Sequence, residues 1–500
     1  MATLGVWLTG LLIFIISLLI LYLVYSTWNF GIFKKMGIKG PPPNPFFGNH
    51  MVIAKKGFPE ADMMWWREHG DVFGYFSGRS PMLVVADPDM LKEILVKQFQ
   101  NFTDRIVFKG FNGDLEENLS AQQGKAWKRC RAIVSPTFTS GKLRKMDPLI
   151  KEAGDALVQH IKRTIKTNDK VECTWLFGCY TVDVIASTAF GIKIDSQSDP
   201  EDKFVRMVSK LIAVKLSSPL LFIAFLLPAL GIPLAKLLKV SFVDSEASSF
   251  FRKEIEKAIN TRDSSKKEYI DFIQLMMEAH NDDPDETNEK RGLTSTEIIA
   301  NCLLFFFAGY ETTASTLSFL AYFLAIHPDV QQKIYEEILS ELGDEEPGYD
   351  NIEKLNYMDM CINETMRMYP ISPRTDRTCV HDAEVKGLKI PKGMDIAIPI
   401  WILHHSDKLW ENPEKFDPER FSAENKAKMN PYQFLPFGYG PRLCIGKRLA
   451  LTEIKVAMTK LLREFEIKTC TETHIPPKLK NSGLVKPEDM WLKITQRKST

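Results

Sequence analysis

The distribution of apolar and polar side chains divides this 500-residue chain into stretches of different character. No charged side chain occurs from Met1 to Phe33, and the run Leu4 to Tyr25 (LGVWLTGLLIFIISLLILYLVY) is apolar nearly throughout. At a rise of ~1.5 Å per residue such a run crosses a hydrocarbon core of roughly 30 Å, so the pattern predicts a transmembrane helix. A cleaved signal peptide fits less well, because the start has no basic side chain, the run is too long and no small-residue cleavage site follows. Lys34, Lys35 and Lys39 come directly after it, which by the positive-inside rule leaves the rest of the chain in the cytosol. Gly40-Pro41-Pro42-Pro43-Asn44-Pro45 then reads as an extended, semi-rigid strut.

Beyond the strut, a strand-like run at Met82 to Ala86 alternates with helical patterns at 58–69 and 88–96. From about 115 to 365 the periodicity is mostly helical, and past Arg374 short β-like pieces (Ala383 to Ile390, Asp395 to Pro399) lie among Gly and Pro. The expectation is a mainly α fold with a smaller β-containing part and an N-terminal transmembrane helix. Its divisions are 1–33 as membrane anchor, 34–50 as basic and proline-rich linker, and 51–500 as one large domain. A second apolar concentration, Ser217 to Leu238, is interrupted by prolines at 219, 228 and 233. It reads either as a surface dipping into the membrane or as a buried helix pair.

Thr294-Ser295-Thr296-Glu297 is a capping box that opens a helix able to run to Ile326, before His327-Pro328. That helix is apolar nearly all round, yet Glu311-Thr312-Thr313 sits in its middle. A carboxylate at bilayer depth is costly, so the helix is expected to cross a protein core. Gly309 inside it costs about 1 kcal/mol against alanine, which close approach of a flat ligand would explain. A Glu beside a Thr can relay protons; the competing reading is that Thr312 bonds back to the Ala308 carbonyl with no further role.

Composition narrows the class. With 45% hydrophobic and 25% charged residues the chain is globular and can bury a large core, and a net charge of +1 argues against a nucleic-acid partner acting on the whole chain. Eight cysteines without a C-x-x-C pair suggest neither a zinc ribbon nor a disulfide framework. They read as reduced, mostly buried thiols, in keeping with the cytosol, where the sequons at Asn101, Asn118 and Asn363 would stay unglycosylated.

Cys444 stands apart, in FLPFGYGPRLCIGKRLA (434–450). Glycines at 438, 440 and 446 allow a tight turn whose amides can point at the sulfur, and Arg442 adds positive charge. A haem iron with one thiolate ligand requires such a loop; an inert buried thiol is the alternative. Glu364 and Arg367 share a helix face amid apolar flanks, so they are expected to form a buried pair that needs further partners, with Arg420 a candidate.

Together these stretches resemble the cytochrome P-450 monooxygenases. Phe437-x-x-Gly440-x-Arg442-x-Cys444-x-Gly446 is similar to their haem-binding signature and Ala308-Gly309-Tyr310-Glu311-Thr312 to their oxygen-activation helix. Glu364-x-x-Arg367 with Pro418-Glu419-Arg420-Phe421 resembles their core ion network, and Trp127-x-x-x-Arg131 their propionate-binding helix. The wording WKRCRAIVSPTFTSGKL (127–143), FAGYETT and PFGYGPRLCIG looks like the microsomal, drug-oxidising branch called family three, subfamily A.

The resemblance implies haem b with Cys444 as thiolate ligand, and O2 as co-substrate. It implies Arg105, Trp127, Arg131, Arg377 and Arg442 on the haem propionates, with Phe437 beside the haem. Thr312 and Glu311 would deliver protons on the distal side, and Ser120, Leu304, Phe307, Ala308, Ile371 and Ser372 would line the space for a lipophilic substrate. No G-x-G-x-x-G fingerprint occurs, so NADPH-derived electrons would come from a membrane-bound flavoprotein reductase, with cytochrome b5 as a further partner. Lys128, Arg129, Lys142, Arg144, Lys145, Lys447 and Arg448 would give these acidic partners a basic face. The implied location is the endoplasmic reticulum membrane, with a single-pass anchor and a cytosolic catalytic domain. An oxygen-independent endoperoxide isomerase on the same fold, or a haem-binding protein without turnover, are the alternatives.

Overall fold

The computed structural model describes residues 2–107, 113–198, 203–212, 233–234, 237–238, 243–264, 271–278, 292–480 and 483–497. Most of the apolar concentration at Ser217 to Leu238 lies outside the described residues. Contacts gather the chain into two units, one built chiefly from residues up to Ile106 with Pro373–Leu403, the other from Val107–Leu216, Lys239–Ser372 and His404–Thr500.

In the first unit the helix Ala2–Thr27 turns its side chains outward from Leu4 to Leu21. At its end the Tyr22 hydroxyl donates to the Phe46 carbonyl at 3.0 Å, and the Arg79 guanidinium lies 3.9 Å over the Tyr25 ring. The strut is pinned to the sheet, since the Gly74 amide donates to the Lys39 carbonyl at 2.9 Å. Gly40 is required there, because a Cβ would come within 1.8 Å of the Gly74 carbonyl oxygen. The sheet has four strands in the order Val72–Ser77, Ser80–Val85, Asp395–Ile398, Thr375–Thr378. Phe73 faces Val84 antiparallel, Leu83 faces Ile396 parallel, and Arg377 faces Ile396 antiparallel. Phe73, Tyr75, Val84 and Ala397 pack on Trp65, an apolar layer that seats the sheet on the helix His50–His69. Ala383 to Ile390 is a hairpin, turned by Lys386 and Gly387 with φ of 47° and 82°, the pair of left-handed residues that a tight two-residue turn needs.

In the second unit the helix Ser295–Ile326 begins at the expected capping box, with the Glu297 amide donating to the Thr294 hydroxyl at 3.1 Å and the Thr294 amide to the Glu297 carboxylate at 3.0 Å. It packs against the helices Cys173–Phe190, Asn356–Met368 and Lys447–Glu464. Among the described residues three helices are long and apolar enough to cross a bilayer. Cys173–Phe190 and Ser295–Ile326 are 89% and 61% buried inside the protein, whereas the one at Leu4–Lys35 is 0% buried. The central helix therefore crosses a protein core, and the N-terminal one has only solvent or lipid to meet its apolar surface.

The structure supplies a packing reason for Gly309. A Cβ there would lie 2.4 Å from the Cδ1 of Ile185, on the neighbouring helix Cys173–Phe190. The glycine admits close packing of these two helices.

Candidate active site

Cys444 follows a short turn over Gly440–Arg442 and precedes the helix Lys447–Glu464. Gly438 and Gly440 have φ of 72° and 74°, so both need glycine. Gly446 does not: its φ of −84° is open to any residue, and it serves as the helix N-cap. The Cys444 amide donates to the Phe437 carbonyl at 2.9 Å, so it closes the turn instead of pointing at its own sulfur. Cys444 is exposed, whereas Cys130, Cys173, Cys179, Cys302, Cys361 and Cys379 are buried and Cys470 is half-buried. Burial pushes Cys130 and Cys179 up to about 12, which keeps those thiols protonated and inert.

The cysteine turn gathers three of the residues singled out in sequence. Arg442 is buried, its Nη2 donates to the Gln122 carbonyl at 3.0 Å, and its guanidinium lies 4.0 Å over the Trp127 ring. Arg131 Nη2 donates to the Leu443 carbonyl at 3.0 Å, one residue before the cysteine. Trp127 and Arg131 thus share one face of the helix Gly124–Val134, but it is Arg442 that stacks on the indole. Arg129, on the opposite face, turns inward to Glu297 and the Gly292 carbonyl, with a side chain 8% exposed. It is therefore withdrawn from the expected basic surface.

In the first unit Arg377 lies on the strand Thr375–Thr378 and is 1% exposed. One nitrogen donates to the Asp376 carbonyl at 2.6 Å, while the buried Nε has no hydrogen-bond acceptor among the described residues. Burial, then the charge of Arg105, push its pKa down to about 9. A buried guanidinium beside a second one, with an orphaned donor, is chemistry that asks for an anion, and a carboxylate of a haem propionate fits it.

The middle of the central helix carries a half-open stripe. Leu304, Phe307, Glu311 and Thr312 are half-buried and Ala308 is exposed, while Phe305, Phe306 and Thr313 to Ala325 are buried. Three- and four-residue steps put these five positions on one face. The Thr312 hydroxyl donates to the Ala308 carbonyl at 2.6 Å, the back-bond foreseen as its alternative, leaving its oxygen free to accept. Glu311 is ion-paired with Lys486, a residue sequence reasoning passed over. Ser120, Ile371 and Ser372 are half-buried, and the Val485 amide holds the Ile371 carbonyl at 2.8 Å.

Glu364 and Arg367 are both 0% exposed, joined by two bonds of 2.7 and 2.9 Å. Arg420 Nε lies 3.4 Å from Glu364, and the Asp417 amide donates to it at 2.9 Å. Arg367 also donates to the His404 carbonyl at 2.8 Å. The His404 ring is buried, which pushes its pKa well below the usual range and keeps it neutral. Its Nε2 accepts from the Leu435 amide at 2.9 Å, so its Nδ1 carries the proton and lies 3.2 Å from the Met366 carbonyl. His404, unnoticed in sequence, therefore ties the ion network to the start of the cysteine loop.

Residues 38–491 match the model of the family described as Cytochrome P450. Over 484 residues the chain is 44% identical to cytochrome P450 3A2 of Rattus norvegicus, covering 96% of this chain and 95% of the relative. It is 43% identical to cytochrome P450 3A11 of Mus musculus over 486 residues, with 96% and 95% covered. Cytochrome P450 3A28 of Bos taurus is 41% identical over 485 residues, with 96% and 94% covered. The chain belongs to the cytochrome P450 family. Its mainly helical body with a smaller strand part is the P450 fold, and the protein is a haem monooxygenase of the subfamily 3A type. As a P450 it uses haem with a cysteine thiolate, O2, and NADPH-derived electrons delivered by a reductase to oxidise lipophilic substrates. Neither alternative, isomerase or silent haem binder, gains support.

Proposed function

We propose that the protein inserts one oxygen atom into lipophilic foreign compounds and steroids. Cys444 would be the thiolate ligand, and Phe437, Arg105, Trp127, Arg131, Arg377 and Arg442 would hold the haem. The observation that carries this reading is the contrast between one exposed cysteine, set in a turn beside Arg442, Trp127 and Arg131, and six buried thiols. When bound, haem would supply activation of O2, and Cys444 is the residue that would ligate its iron.

The protein's own contribution is positioning and proton traffic. Thr312 and Glu311 move protons on the distal side, the threonine oxygen accepting while its proton rests on the Ala308 carbonyl. Leu304, Phe307, Ala308, Ser120, Ile371 and Ser372 would shape a space that excludes water and orients the substrate. Glu364, Arg367 and Arg420 brace the cysteine loop through His404.

The chain divides into an anchor at 1–33, a linker at 34–50 and a catalytic domain at 51–500. The anchor inserts once in the endoplasmic reticulum membrane with the catalytic domain cytosolic, a placement supported by the outward apolar side chains of the first helix and by Lys34, Lys35 and Lys39. Lys128, Lys142, Arg144, Lys145, Lys447 and Arg448 receive the reductase or cytochrome b5. The test is a carbon monoxide difference spectrum of the reduced protein, followed by turnover with reductase, NADPH and 18O2. A strongly red-shifted band and one labelled oxygen per product are expected. A histidine-type band, or product without label, would refute the assignment.

A further inference from the structure

Glu311 does not stand alone on the open stripe. Its carboxylate pairs with the Lys486 ammonium, and the two side chains are 15% and 20% exposed, so water shields the pair poorly. Among the described residues neither has a second ionic partner. Lys486 is presented by an ordered backbone. The Lys480 amide donates to the Lys486 carbonyl at 2.9 Å, the Glu488 amide to the Lys478 carbonyl at 2.8 Å, and Leu479 bridges Pro487. The preceding residue, Val485, is 3% exposed and donates its amide to the Ile371 carbonyl at 2.8 Å.

We propose that Lys486 is a positioning residue for Glu311. Its charge fixes where the carboxylate lies on the stripe, and the Val485 bond to Ile371 couples that placement to a segment that faces substrate. The inference rests on the proton-delivery reading of Glu311. A half-buried carboxylate deprived of its cation swings toward water, and its reach along the helix changes. Arginine keeps the charge with a different shape; methionine keeps the length without it.

The experiment compares K486M, K486R, E311Q and E311Q/K486M in the full-length holoprotein with reductase, each first matched for its carbon monoxide spectrum. K486M should lower product formed per NADPH by about threefold or more, within the span of pairwise couplings between touching residues, and release more hydrogen peroxide. K486R should restore most of the loss, and E311Q/K486M should be no worse than E311Q. A second readout is independent of turnover: E311Q, like K486M, should speed amide hydrogen exchange across 484–488. Equal losses from K486M with and without Glu311, or unaltered exchange at 484–488 in E311Q, would overturn the proposal. If E311Q loosens 484–488 but leaves product per NADPH unchanged, the positioning stands and the proton-delivery reading of Glu311 falls.

Discussion

Replacing Arg367 by methionine tests the central ion network most directly. The guanidinium donates twice to Glu364, at 2.7 and 2.9 Å, and once to the His404 carbonyl at 2.8 Å. A fourth contact, to the Lys415 carbonyl at 3.3 Å, is weak. Methionine removes all of them and leaves a Glu364 carboxylate at 0% exposure, held only by the Asp417 amide at 2.9 Å and the Arg420 Nε at 3.4 Å. Breaking a buried pair from one side costs about 3–5 kcal/mol, and because Arg420 still offsets part of the charge the lower end, about 3 kcal/mol, applies. That is a large share of a typical folding free energy of about 5–15 kcal/mol.

The damage should also reach the haem ligand, because the His404 ring accepts from the Leu435 amide at the entry to the cysteine loop. The assay is urea unfolding of haem-loaded protein, followed by loss of the thiolate carbon monoxide band and by tryptophan fluorescence. R367M should unfold at clearly lower urea and purify with less haem. R367K should fall between it and the wild type, since lysine keeps the charge without the two-pronged geometry. E364L/R367M should be less damaged than R367M, since no buried charge remains uncompensated. A loss under about 1 kcal/mol with a full thiolate band would equal the worth of a solvated surface pair and refute the reasoning.

Cys444→Ser should abolish the red-shifted carbon monoxide band while circular dichroism keeps the helical signal; retention of the band would assign the thiolate to another cysteine. Thr312→Ala should go on consuming NADPH but release more peroxide and less product per NADPH, and an unaltered yield would remove proton delivery from Thr312. Arg377→Gln should raise the stability of haem-free protein at neutral pH and speed haem loss by about tenfold or more, the worth of one charged hydrogen bond. Its sign follows from a base whose folded pKa, about 9, lies below its unfolded range, so that the folded form binds fewer protons. Wild-type haem-free protein should therefore lose stability as pH falls from the arginine range through about 9 and stay at that lower level below it. In R377Q this slope should vanish, and an unchanged slope measured by pH-dependent unfolding would place the titration elsewhere.

Features carried by local order along the chain are legible in the sequence alone. The capping box at Thr294 and Glu297, the uncharged first helix and the lone cysteine among glycines depend on residues within one turn or one loop, so spacing alone expresses them. The Glu364 and Arg367 pair was legible for the same reason, being three residues apart with apolar flanks.

What the tertiary structure decided lies between segments distant in sequence. The stack of Arg442 on Trp127, the inward turn of Arg129 to Glu297, and the clamp of Lys486 on Glu311 each join residues more than 150 positions apart. No period or spacing encodes such contacts, because they form only when buried helices choose their partners. Gly309 shows the limit from the other side, since the residue type announces a close approach and only packing reveals that Ile185 makes it. Local sequence determined which groups this P450 has to offer; the packing of the central helix against its neighbours decided which of them stay buried, which pair, and which remain open for chemistry.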